Sequence, residues 1–148
     1  AAPVSGRVVF EYALLRVVPR IERGESMNAG VLVHCRARDL LCARVRLDRD
    51  RLRALDPQAD ADAVTGLLET MVQVAAVPEP ARSDRRSTGA LAATGPGAGE
   101  DIGRRFRRLT TARSTIVQPG PVHTGLTDDP AAEADRLLAR LVLPLPGP

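Results

Sequence analysis

The hydrophobic patterning predicts an α+β domain: a small, mainly antiparallel sheet with helices packed on one face. Three observations predict it. Residues 9–18, 29–35 and 40–47 are apolar runs rich in β-branched types, residues 60–77, 100–114 and 128–142 repeat apolar residues at helical spacing, and 148 residues fit a single core. The domain is placed at residues 7–142, interrupted by a mobile Pro/Gly/Ala-rich loop at 78–99 and followed by a frayed tail at 143–148.

The first strand, "VFEYALLRVV", stops at Pro19, which cannot donate to a sheet ladder. "AGVLVHC" and "LLCARVRL" form a hairpin whose register can be argued from the pattern. Pairing 33 with 43 and 35 with 41 gathers Val31, Val33, Cys35, Leu41, Ala43, Val45 and Leu47 on one face. Pairing 33 with 42 mixes those Val side chains with Arg44 and Arg46, so the all-apolar register is expected. It places Cys35 on the buried face and Cys42 on the other, beside His34. The two thiols then share neither a disulfide nor a metal, and Cys42 with His34 becomes a nucleophile-and-base arrangement in principle.

A short helical turn follows at "DRDRLRAL". The helix over 60–77 aligns Val64, Leu67, Leu68, Met71, Val72 and Ala75, with early Asp residues at its positive end. After the loop, Ile102, Phe106 and Leu109 form a narrow stripe while Arg104, Arg105, Arg107 and Arg108 point away from it. "STIVQ" is a short strand and "PVHTGL" a turn or second short strand. The last helix opens at Asp128 or Asp129 with Pro130 in its first turn, and its Ala134, Leu137, Leu138 and Leu141 cover a sheet face.

All 21 basic residues are Arg, against 18 acidic residues, giving a net charge of +3. Codon bias in a GC-rich genome explains the missing Lys; selection for two-pronged anion recognition is the sharper alternative. The charge is too small to argue for nucleic-acid binding alone, and the aromatics Phe10, Tyr12 and Phe106 are too few to stack a strand of bases. No apolar run approaches the roughly 20 residues of a membrane helix, no leader pattern opens the chain, and two cysteines suit a reducing compartment, so a cytoplasmic location is expected. No cofactor fingerprint or metal-ligand spacing is present, and none is predicted.

Two polar segments stand out. In "PRIERGESMNAG", Arg20, Arg23, Glu25 and Asn28 lie in the link between two strands, where Gly24 and Gly30 allow tight turns or close backbone approach. They serve either as loop ion pairs and a backbone cap, or as an anion clamp. In "ARSTIVQPGPVHTG", Arg113, Ser114, Thr115, Gln118, His123 and Thr124 surround a short strand. They cap and stabilise a turn, or cradle an anion beside a histidine able to move a proton.

The stretches "YALLRVVPRIERGESMNAGVLVHC", "LCARVRLDRDRLRAL", "RFRRLTTARSTIVQPGPVHTGL" and "DDPAAEADRLLARLV" together resemble a bacterial family, domain of unknown function 3037. The resemblance runs from about Phe10 to Val142 and spares the linker. It departs from the family pattern in Met27-Asn28-Ala29 and in the extended Ala/Gly loop. The resemblance implies that Arg16, Arg20, Glu25, Asn28, Arg113 and His123 form one site. It also implies an accessory role, because such genes often lie beside genes for HipA-like kinases.

Three functions stay open on this reading. The first is a partner-binding module, with a HipA-like kinase as partner and Arg16, Arg20, Arg23, Asn28, Arg113, Ser114, Gln118 and Thr124 as binding candidates. The second is a phosphate-handling enzyme acting on a phosphate-bearing small molecule, with Glu25 or His123 moving a proton. The third is duplex nucleic-acid binding through Arg104 to Arg108.

Overall fold

Strand β1 (Val8–Val17) is the axis of the sheet in the computed structural model, which describes residues 6–77, 101–111 and 116–147. On one edge β1 pairs antiparallel with β2 (Met27–Cys35), and β2 pairs antiparallel with β3 (Leu40–Val45). The other edge of β1 is shared. Its C-terminal half takes β4 (Val117–Pro119) and its N-terminal half takes β5 (His123–Thr127), both antiparallel. Pro119 and Pro121 have no N–H to give, so the edge breaks between β4 and β5, and Gly120 N–H bridges the gap to Leu14 O at 2.8 Å.

Four helices complete the described chain: α1 (Arg49–Leu55), α2 (Ala61–Ala76), α3 (Ile102–Thr111) and α4 (Pro130–Leu141). Asp48, Asp60 and Asp129 start α1, α2 and α4 by accepting the backbone N–H of Arg51, Ala63 and Ala132, and Pro130 supplies the first turn of α4. None of these helices is long and apolar enough to cross a membrane.

The α+β class and the antiparallel sheet are as the patterning predicts, but the helices lie on both faces. Leu15, Val17, Leu32, Leu41 and Ala43 pack under α1, α2 and α3 through Leu52, Val64, Leu68, Phe106 and Leu109. Phe10, Val31, Val33 and Cys35 pack under α4 through Ala134 and Leu137, with Leu138 and Leu141 alongside. We call these the first and second face. Leu67, expected in the apolar stripe of α2, is 41% exposed. The predicted 78–99 loop lies outside the described residues.

The hairpin register also differs from the expected one. Val33 pairs with Cys42 and Cys35 with Leu40, closed by the four residues 36–39. A 3₁₀ turn over Arg36–Arg38 ends at Asp39 in the left-handed region (φ 48°), a conformation a short acidic side chain tolerates. That turn closes the hairpin one residue sooner than the all-apolar register requires. With both faces covered, neither has to be wholly apolar: Arg44 lands on the second face and reaches Asp135 of α4 at 3.1 Å. Cys35 and Cys42 therefore share the second face, both as free thiols, and His34 lies on the first. The Cys42–His34 arrangement does not exist.

One arginine of α3 also departs from expectation. Arg105 is fully buried and donates from Nη1 to Val77 O at the end of α2. It is part of the core rather than of a basic surface.

Candidate functional site

A bulge in the β1–β2 ladder builds the polar row at the centre of the site. Leu15 faces Gly30 and Arg16 faces Asn28, leaving Ala29 as the extra residue, its carbonyl taken by Arg46 N–H at 2.8 Å. Gly30 is required at the crowded point, because a Cβ there would sit 2.9 Å from both Arg44 O and Val45 Cγ1. The bulge turns Asn28 to the second face beside Arg16. On the other side of β1, Arg16 faces Gln118.

Asn28, Arg16 and Gln118 thus form a row across three strands. Asn28 is fixed by donating from Nδ2 to Leu141 O, 3.0 Å away at the last turn of α4. The guanidinium of Arg16 lies over Gly120: a Cβ on that residue would meet Arg16 Cζ at 3.2 Å and Nη2 at 3.3 Å. Arg16 is half-buried, and among the described residues no carboxylate pairs with it. His123, two rungs beyond Gly120 on the same face, packs its ring on Tyr12 with centroids 5.2 Å apart.

The other predicted residues go elsewhere. Arg20 joins the start of the 3₁₀ turn Ile21–Arg23 to the α1–α2 connection, with Nε 3.3 Å from Asp56, Nη1 3.5 Å from Glu22 and Nη2 3.3 Å from Gln58 Oε1. Asp56 is buried and also accepts Gln58 N–H at 2.9 Å. Arg23 pairs with Glu25 on the surface, and that hydrogen bond raises the guanidinium above its ordinary pKa. Gly24 ends the turn with φ 70°, the conformation for which glycine is suited. Arg20, Arg23 and Glu25 therefore satisfy one another and Asp56, while Arg16 stands apart from them. Arg113 and Ser114 lie outside the described residues.

Thr124 faces Glu11 on the first face, where the structure assembles a group that the patterning did not single out. Glu11 Oε1 lies 3.1 Å from His34 Nδ1. His34 is 5% exposed, its ring stacks on Phe106 at 5.1 Å, and its Nε2 has no hydrogen-bond partner among the described residues. A carboxylate at Nδ1 selects the tautomer with the proton on that nitrogen, which leaves Nε2 as an acceptor. A cavity of about 740 Å³ adjoins the pair, lined by Val8, Val9, Glu11, His34, Ala37 and Thr124 with Arg36. The signal in the sequence is faint: one His in an apolar strand, whose partner is set by strand pairing 23 residues away.

Cys42 is partly buried, and desolvation pushes its thiol up from the ordinary 9.0, with Arg44 opposing. Such a thiol is a poor nucleophile. Among the described residues no group of His, Cys, Asp and Glu is placed to hold a metal ion.

The fold and the row define a small α+β sheet domain with a half-buried guanidinium on its second face that meets no carboxylate among the described residues. The chain belongs to the family described as protein of unknown function DUF3037, whose profile matches residues 12–142. The match takes in β1 from Tyr12 onward, β2 to β5 and all four helices. No curated protein and no solved structure matches the chain.

Proposed function

We propose that this domain is a cytoplasmic binding module that recognises an anionic group through Arg16 and acts as an accessory to a protein partner, a HipA-like kinase being the partner the resemblance implies. The observation that carries the reading is the difference between the arginines. Arg20 and Arg23 are matched by Asp56, Glu22 and Glu25, whereas Arg16 is held over Gly120 with no acidic neighbour among the described residues. A half-buried guanidinium keeps its charge, and an incoming phosphate or carboxylate gains two parallel charge-assisted hydrogen bonds from it. Gln118 and Asn28 flank it with polar groups on the same face.

The test is affinity capture of the tagged chain from its own host, with mass spectrometry of retained proteins and small molecules, repeated with Arg16→Gln. Loss of one stoichiometric partner or anionic ligand in the variant is the expected result. Identical retention by a folded Arg16→Gln protein refutes the reading.

A second reading, catalysis, is favoured by Glu11 and His34, because a carboxylate-oriented imidazole with a free Nε2 is the arrangement of a general base. It moves the proton-handling role from Glu25 and His123 to His34. Duplex binding through α3 would have to do without Arg105, which is buried.

A further inference from the structure

Helix α4 packs over β2 and β3 on the second face, and the neighbouring strip of β1 is only partly covered. Along that strip lie Tyr12, Leu14 and Arg16, all half-buried. Two of the three aromatic rings of the chain are gathered at one end. Phe10 and Tyr12 stack with centroids 5.9 Å apart, and His123 packs on Tyr12 at 5.2 Å with a 32° tilt. His123 is exposed, so the ring run ends at solvent.

The Arg16 cation, without a carboxylate partner among the described residues, stands at the other end. Gly120 donates to Leu14 O, which places it opposite Leu14, two residues nearer Tyr12 than the Arg16 backbone. Because the guanidinium lies on Gly120, it leans back along β1 towards the rings. Two residues of strand, roughly 7 Å, then separate the charge from the Tyr12–His123 pair. The half-buried side chain of Leu14 lies on the same face, level with the guanidinium.

From this juxtaposition we infer that the strip binds a mononucleotide, with the base against His123 and Tyr12, the 5′-phosphate on Arg16 beside Leu14, and the sugar in the interval between them. The inference rests on the reading of Arg16 as an anion site and adds the chemical class of the ligand. A flat ring and an anion joined by a sugar match the spacing of an aromatic pair and a guanidinium on one strand face. Bases stack on aromatic side chains with little regard to identity. A single ring pair accommodates one base rather than a run of them.

The test is a titration of the full chain, followed by its backbone amide NMR signals, with the four ribonucleoside 5′-monophosphates, inorganic phosphate, adenosine and a tetraribonucleotide as separate probes. At least one monophosphate is expected to bind about tenfold or more tighter than phosphate or adenosine, the range a single stacked base supplies, and to shift the Gly120 and His123 amides. His123→Ala should reduce that affinity to the level of phosphate, and Arg16→Gln to the level of adenosine. If Arg16→Gln does not fold, Arg16→Met removes the charge while keeping the stem that lies along the strip. Phosphate binding with no gain from any nucleotide overturns the nucleotide and keeps the anion site. Failure of every anionic probe overturns both. A tetranucleotide that binds tighter than every monophosphate replaces the mononucleotide with a single strand.

Discussion

Glu11 and His34 stand opposite each other in the β1–β2 ladder, and their side chains meet at 3.1 Å on the first face of the sheet. Glu11 is half-exposed while His34 is buried, so the pair fixes an imidazole that would otherwise have two unmet nitrogens. Glu11→Ala should lower the folding free energy by about 1–3 kcal/mol, the cost of an unsatisfied buried polar group. His34→Phe should cost less, because it removes the unmet Nε2, retains the contact with Phe106 and leaves Glu11 to solvent. Urea unfolding midpoints of the two variants check the order.

Two glycines on the same edge of the sheet should respond differently to alanine. A Cβ on Gly125 would lie 2.7 Å from Phe10 Cε1, and Phe10 is 4% exposed within the second-face core. Gly125→Ala should therefore destabilise by about 1–3 kcal/mol, as overpacking does. The Gly120 contact is with the end of a flexible side chain, so Gly120→Ala should fold within about 0.5 kcal/mol of the parent, with the guanidinium shifted slightly and phosphate binding weakened rather than lost. Thermal unfolding beside phosphate titration separates the two effects.

Arg20 and Arg23, adjacent in one loop, should also differ. Arg20→Ala leaves the buried carboxylate of Asp56 without its cation, with Gln58 N–H as a remaining donor. Solvent reaches Arg20, so the expected loss is about 1 kcal/mol rather than that of a fully buried pair. Arg23→Ala breaks only a surface pair and should leave the unfolding midpoint unchanged.

The Cys42 thiol, raised above 9.0 by burial, links stability to alkaline pH. The unfolded chain loses this proton at lower pH than the folded chain, so above about pH 9 the folded state binds more protons and stability falls as pH rises. Below that range the thiol contributes no slope. Comparing unfolding free energies of the parent and Cys42→Ala between pH 7.5 and pH 10, on the order of one ionisation step, should show the steeper decline in the parent. Equal slopes would falsify the assignment.

The sequence by itself determined the element types and most of their limits. Strand patterning stopped at Pro19, Asp caps preceded the helical spacing at 60 and 129, and Ile102, Phe106 and Leu109 marked the buried side of α3. These are local signals, set by backbone chemistry within a few residues. Tertiary structure decided the register of β2 on β3, because the Arg36–Asp39 turn and the covering of both faces removed the need for an all-apolar face. It also decided which of three arginines meets no carboxylate among the described residues. Arg16, Arg20 and Arg23 are alike as letters, and only the placement of Asp56, Glu22 and Glu25 around two of them, and of Gly120 under the third, tells them apart. Pairings between residues tens of positions apart depend on how strands align, and composition carries no record of that alignment.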